Sequence, residues 1–341
     1  MTPLFRAVYH GCQAGSHQTA LDAVYRERIQ RGSRFYLIEE FGAFGADLTL
    51  LANFFEDRWS RPLESLSPRD QAWLMSQAGS ALRALGRLGD AVEPLRTAAL
   101  AFVRMGDWID AARSYANLTC LHLALGEIPE GISAAQRGVE HADRSGEALQ
   151  RMGNRAHLGN ALHQAGDVAA AKCAFQDAER IQILRQPRFP VLYFIWGHQY
   201  CELLSGQGQT EEVIRRASET LPWAEEQGGL LDRGLDHLSL GRAYAPGTAE
   251  ATQHLEKAID FLRRAGQLDY LVHGLLARGT ERDLKEAFRI TSRSRMRLYL
   301  TDYHLLEGDL AEAETLINET GYHRRDRELE ELRRNGKTWL R

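Results

Sequence analysis

Apolar residues recur along this chain with the three-to-four-residue spacing of amphipathic helices, and glycine cuts the pattern at regular intervals. Gly86, Gly126, Gly166 and Gly208 stand 40, 40 and 42 residues apart, each between two such apolar segments. One register follows all four. Five residues on comes Ala91, Gly131, Ala171 or Val213; nine on comes Leu95, Ala135, Phe175 or Ala217; twelve on comes Ala98, Gly138, Ala178 or Thr220. A second break falls twenty residues after the first, at Gly106, Gly146 and Gly228, with Gln186-Pro187 in the third slot. Each period therefore predicts helix, turn, helix, turn, and a fixed period of this size marks a solenoid.

The register has a packing rationale. Small residues five and twelve after the turn let the second helix of a hairpin approach the first, and the residue at nine fills the space between neighbours. Glycine at the turn supplies the left-handed backbone that ends the first helix. This combination resembles the tetratricopeptide repeat: between Ala72 and Phe102, Gly79, Leu82, Gly86, Ala91, Leu95 and Ala98 fall at that family's positions. The central units are longer than the family period of about 34 residues, which lengthens each hairpin. The expected fold is all-α, a right-handed α-α superhelix of about sixteen helices. Its turns fall at Gly86, Gly126, Gly166, Gly208, Pro246, Gly279 and Gly308.

Three regions are expected. Residues 1–66 hold a helix from Pro3 to Gln13, a turn at Gly15 and an irregular stretch at 35–56. That stretch is the most apolar in the chain (Phe35, Phe41, Phe44, Leu48, Leu51, Phe54, Phe55 among others), and it predicts two helical pieces buried between the first hairpin and the array. Residues 67–320 are the array, entered through a Ser67 N-cap, Pro68 at N1 and Asp70 at N3. The last turn spacings contract to 33 and 29 residues, as capping repeats do. Residues 321–341 are dense in charge and predict a solvated helix with a frayed end. The chain opens into a helix with no leader, as a segment downstream of another domain would, or a free start.

Net charge is −4, which argues against nucleic acid as a partner. Cys12, Cys120, Cys173 and Cys201 are widely spaced on predicted helices, without a disulfide framework; free buried thiols in a reducing cytoplasm are expected. No apolar run has the length of a membrane span. The chain holds no catalytic constellation and implies no cofactor. Gly336-Lys337-Thr338 matches only the end of a phosphate-binding loop, with Glu331 where its first glycine belongs. His10, Cys12 and His17 are too few for a metal site.

What remains is a surface. Nine residues before each turn, on the first helix of each hairpin, stand Gln77, Asn117, His157, Gln199 and His237, followed by Tyr270 and Tyr299. These side chains donate and accept hydrogen bonds without a fixed charge at neutral pH, which suits a peptide or protein ligand. Trp73, Arg113, Asn160, His198, Arg233 and Asp236 occupy neighbouring columns. The equal-weight alternative is a solvated polar wall. If the column is a binding wall, it stands clear of the hairpin core, so alanine substitutions leave the fold intact. Its histidines would then lower affinity as pH falls through about 6.5.

Four blocks go beyond generic repeats: residues 3–15 (PLFRAVYHGCQAG), 42–48 (GAFGADL), 235–243 (LDHLSLGRA) and 319–326 (ETGYHRRD). Together they resemble the C-terminal tetratricopeptide region of bacterial STAND-type NTPases, relatives of NACHT and NB-ARC proteins, over essentially the whole chain. The resemblance implies a sensor: the array binds a trigger, often a protein, and relieves autoinhibition of an upstream nucleotide-binding module and its effector, frequently in defence against phage. This chain carries neither NTPase nor effector. A free-standing scaffold or adaptor, and the ligand-sensing domain of a transcription activator, are the alternative readings.

Overall fold

A computed structural model describes residues 2–335 of the chain. It begins with α1 (Thr2–Gln13) and α2 (His17–Thr19), which runs on into a π-helix (Ala20–Ile29), then α3 (Tyr36–Glu39) and α4 (Phe44–Leu51). Four long hairpins follow: α5 (Pro68–Ala84) with α6 (Leu88–Met105), α7 (Trp108–Leu125) with α8 (Ile128–Ser145), α9 (Ala148–Gln164) with α10 (Val168–Arg185), and α11 (Phe194–Gly206) with α12 (Thr210–Gln227). Next come α13 (Leu230–Ala243) with α14 (Ala249–Ala265), α15 (Leu268–Arg278) with α16 (Glu281–Ser294), and α17 (Arg297–Glu307) with α18 (Leu310–Thr320). A 3-10 turn (His323–Arg325) leads into α19 (Asp326–Asn335). Consecutive helices pack as neighbours throughout, giving an all-α solenoid. The departure among the described residues is a two-stranded antiparallel hairpin, β1 (Phe55–Asp57) with β2 (Arg61–Pro62), which begins at the end of the stretch expected to be helical. No described helix is long and apolar enough to cross a membrane.

Local chemistry explains the boundaries. The Ser67 side chain accepts from the Asp70 amide at 3.1 Å, with Pro68 filling N1. Gly86 and Gly166 end their hairpins' first helices at φ of 71° and 83°, where a side chain is strained. In the α5/α6 and α9/α10 hairpins, the residue nine after the turn lies on a glycine seven before it. A Cβ on Gly79 would stand 2.5 Å from Leu95, and one on Gly159 would stand 2.9 Å from Phe175. Ala91 and Ala171, five after their turns, are fully buried. Ala171→Leu is therefore expected to cost on the order of 1–3 kcal/mol through overpacking; an unchanged melting temperature would show that this position is not a close helix contact.

The solenoid does not stay open. Three successive turns dock onto its C-terminal third. A Cβ on Gly86 would lie 2.4 Å from Ser294 Oγ, one on Gly126 would lie 2.7 Å from Thr320 Cγ2, and one on Gly166 would lie 3.1 Å from His323 Cβ. Arg83, in the last turn of α5, pairs with Asp269 and donates to Gln267 Oε1 (3.2 Å) at the start of α15, about half the chain away. One apolar cluster joins Leu82, Ala91 and Leu121 to Val272, Leu275, Ala287 and Met296.

The N-terminal stretch is core as expected, with Leu37, Phe44, Leu48, Leu51, Phe54 and Phe55 buried, although Phe41 is exposed. Asp47 is fully buried inside it, accepting from the Tyr25 hydroxyl (2.7 Å) and Gln30 Nε2 (2.6 Å). The C-terminal stretch corrects its expectation. Leu329 and Leu332 are buried, and the side chains of Arg324 and Arg325 are only 11% exposed, each paired with an acid on another helix. The Gly336-Lys337-Thr338 match lies outside the described residues.

Candidate functional site

Because the turns of α5, α7 and α9 close against α15–α18 and the 3-10 turn, the inner side of the array becomes an interior. A cavity of about 70 Å³ remains there. Among the residues lining it are Cys120 from α7, Asn160 and Gln164 from α9, His198, Gln199 and Glu202 from α11, Asp269, Tyr270 and His273 from α15, Tyr299 and Asp302 from α17, and Tyr322 and Arg324 from the C-terminal segment. Repeats distant in sequence thus converge on one polar chamber.

Of the residues singled out in the sequence, Asn160, His198, Gln199, Tyr270 and Tyr299 meet in this chamber. His157 lies beside it, its Nδ1 3.8 Å from Cys120 Sγ. The others are elsewhere. Asn117 donates to Ser80 Oγ (3.1 Å) between α5 and α7, and Gln77 is half-buried on α5. Trp73 packs edge-on to Tyr25 under the Arg26 guanidinium (4.3 Å), and Arg113 sits outside with Asp110. Arg233 donates to the carbonyls of Ala224, Glu225 and Gly228, closing the end of α12. Asp236 is buried against Thr220 Oγ1 (3.0 Å), and His237 meets His254 (2.9 Å) and stacks on Phe261. An open inner wall was the sequence expectation; the C-terminal helices cover it instead. His157 and Gln199 are buried, so their alanine variants carry a folding cost that the sequence reading left out.

Glu202 is the centre of charge, and sequence reasoning missed it. It receives Arg242 Nη1 at 2.8 Å on Oε1 and Arg324 Nη2 at 2.8 Å on Oε2. Burial alone would raise its pKa, but the Arg242 and Arg324 guanidiniums hold it well below the usual carboxylate range. The signal was present in its spacing: an acid three and four residues after Gln199 and His198 on an otherwise apolar helix shares their face. Asp302 is the second inner acid, accepting from Arg325 Nε at 2.7 Å and from the Tyr322 hydroxyl at 3.4 Å.

Two arrangements resemble reactive sites, and their geometry argues against both. Ligand atoms of His198, Glu202 and His273 come within 4.8 Å of one another. Arg242 also donates to His273 Nε2 (2.7 Å), and Arg242 and Arg324 both pair with Glu202, so the carboxylate and one imidazole of the set are already taken up by two guanidiniums, which repel a metal ion. The Cys120–His157 contact is not a nucleophile–base pair. The Trp196 indole N–H can only donate, and it donates to His157 Nε2 (3.3 Å). The ring proton of the neutral imidazole is then on Nδ1, facing the thiol, which has no bare nitrogen to accept its proton. Burial pushes the Cys120 thiol up, and burial with the nearby Arg83 lowers His157 to about 4. His237 is likewise lowered to about 4, chiefly by burial. Both imidazoles therefore stay neutral down to about pH 4, and neither changes charge near pH 6.5. The four cysteines are free; Cys12 and Cys201 are buried as expected, whereas Cys173 is exposed.

No family model matches the chain, and no curated protein does. Among solved structures it is similar to the Rap conjugation gene regulator of the plasmid pLS20, determined in complex with the Phr* peptide. The likeness has a TM-score of 0.54 at 12% identity and covers 97% of this chain and 96% of that one. At that identity the likeness is one of fold alone: a helical-repeat solenoid of matching extent.

Proposed function

We propose that this chain is a peptide-recognition sensor module, binding a peptide or protein segment in the interior of its solenoid and passing the event to a partner through its C-terminal segment. The observation that carries the reading is the polar chamber itself. Asn160, Gln199, Tyr270 and Tyr299 reach it from four different hairpins, and neutral hydrogen-bonding groups arrayed in that way suit a peptide backbone. The solved regulator of similar fold, described in complex with a peptide, supports the same reading. The finer setting we favour is the sensor of a STAND-type signalling or antiphage-defence NTPase in the bacterial cytoplasm. Three of the blocks that resemble that family form internal joints: Gly42 against the end of α14, α13 with Asp236 and His237, and the segment carrying Arg324 and Arg325. A nucleotide-binding domain encoded in frame upstream would support that setting; a DNA-binding domain there would favour a transcription activator instead.

The test is selection of a random peptide library on the full chain, with Asn160→Ala/Gln199→Ala as counter-target. Enriched peptides are expected to bind the variant at least tenfold more weakly, which needs about 1.4 kcal/mol, roughly one to two hydrogen bonds. Peptides that bind both proteins equally, with the variant folded by circular dichroism, would place recognition outside the chamber.

A further inference from the structure

Three acceptor atoms in this chamber have no hydrogen-bond partner among the described residues: His198 Nε2, Gln199 Oε1 and Asp269 Oδ1. All three residues are more than nine-tenths buried and line the cavity. The role of His198 follows from its neighbours. Ser239 spends its hydroxyl proton on the Leu235 carbonyl (3.0 Å), so its oxygen can only accept from His198 Nδ1 (2.9 Å). Nε2 of the neutral ring is therefore a bare lone pair. Glu202 adds two carboxylate oxygens, and Gln164 Oε1 a further carbonyl. The chamber is rich in acceptors, and buried acceptors without donors are costly. A group with many donors and positive charge matches it, and among side chains the guanidinium, with five N–H groups in a planar fork, does so best.

Part of that role is already filled from within. Arg324 enters from a segment 122 residues beyond Glu202 and donates to Glu202 Oε2 (2.8 Å) and Gln164 Oε1 (3.3 Å). The remaining 70 Å³ is far below the roughly 300–1,000 Å³ of pockets that enclose a drug-sized ligand. A peptide and the seated C-terminal segment therefore exclude one another.

We propose that the chamber is a subsite for an arginine side chain of a peptide ligand, and that Arg324 is its internal stand-in, displaced when the ligand binds. The proposal rests on the peptide-sensor reading above and adds the ligand class and the moving part. Displacing Arg324 pulls on Tyr322, which is buried, and on Arg325, which is paired with Asp302. Ligand arrival is thereby converted into release of the 3-10 turn and α19.

The test uses N-acetyl-arginine methylamide as the probe, with the lysine and the neutral, near-isosteric citrulline derivatives as comparisons, on the full chain and on Arg324→Ala. Calorimetric titration is expected to show the arginine probe binding Arg324→Ala at least tenfold more tightly than the unsubstituted chain. The citrulline probe is expected to bind at least tenfold more weakly than the arginine one, and Glu202→Gln in the Arg324→Ala background to abolish the gain. No gain in a folded Arg324→Ala protein, or equal binding of the citrulline probe, overturns the proposal. If Arg324→Ala does not fold, hydrogen exchange at Tyr322–Arg325 of the unsubstituted chain decides. Faster exchange with the arginine probe but not with citrulline supports the proposal; unchanged exchange with both overturns it. Failure here is distinct from failure of the sensor reading: selected peptides that depend on the chamber but show no preference for arginine leave the sensor reading standing and remove the subsite.

Discussion

Arg83→Ala is expected to destabilise the protein by about 3–5 kcal/mol, the cost of leaving a buried partner charge uncompensated. Asp269 is 4% exposed, and one of its two carboxylate oxygens is already without a partner. Removing Arg83 leaves both in the interior. Burial alone would lower the arginine's pKa, yet the Asp269 carboxylate beside it raises it. The effect has a second component, because this pair ties the first hairpin to the sixth. An open solenoid unfolds as a chain of nearest-neighbour units. Here the apolar cluster shared by α5–α7 and α15–α17 makes the two ends depend on each other. Urea unfolding of the native chain is expected to be one sharp transition, and Arg83→Ala to broaden it as well as shift it. The double variant Arg83→Met/Asp269→Leu should recover much of the loss, since an apolar pair of similar volume replaces a buried ion pair at little cost. A loss below about 1 kcal/mol for Arg83→Ala would mean that closure is held by apolar contacts alone.

The second large effect is a fall in stability between pH 6.5 and 8. Burial raises Asp47 to about 7 and Asp236 to about 8, against about 3.9 for an unfolded aspartate. Across that interval the folded state holds protons that the unfolded state has lost, so stability declines as pH rises through the folded values, at up to about 1.4 kcal/mol per unit for each group. The buried histidines act in the opposite sense. His157 and His237 at about 4 and His198 at about 3 stay neutral in the fold while unfolded imidazoles protonate near 6.5. Their contribution is complete above pH 6.5 and is lost as pH falls toward 4. The two slopes oppose each other below 6.5, and above it only the acids contribute. Glu39, raised to about 7 chiefly by burial, adds to the same slope, so calorimetric melting temperatures should fall from pH 6.5 to 8. Asp47→Asn and Asp236→Asn should each flatten the alkaline limb. A native melting temperature that stays level from pH 6.5 to 8 would show that these carboxylates are ionised in the fold.

Hairpin positions were readable because short-range contacts set them. A glycine turn, a small residue five on and a filler nine on describe one helix pair, and Gly79 against Leu95 is that contact. The closure was not readable, since a repeat register reports only the next repeat. Nothing around Gly126 announces Thr320 as its neighbour. The same gap shaped the site. Gln199, Tyr270 and Tyr299 share one register and converge, joined by Asn160 from a neighbouring column, whereas Trp73 and Arg113 belong to the first two units, which face the N-terminal helices and the outside. Arg233 was taken up by the end of α12, a local need that a column count does not see. The last block misled through its charge: a stretch dense in arginine and glutamate reads as solvated until its partners appear, and Arg324 finds its acid 122 positions away. The β-hairpin was hidden by Trp59, which takes a left-handed backbone (φ 66°) that bulky side chains seldom adopt.

The docking of the turns at Gly86, Gly126 and Gly166 onto α15–α18 and the 3-10 turn also fixes how such a protein can change over time. Open repeat arrays lengthen and shorten by copying or losing whole units, because each unit answers only to its neighbours. In this chain one extra unit in the middle would carry every later element past its seat by a full hairpin, unpairing Arg83 from Asp269 and Arg324 from Glu202 together. Copy number is thereby locked, and diversification is left to point substitution within a ring of constant size.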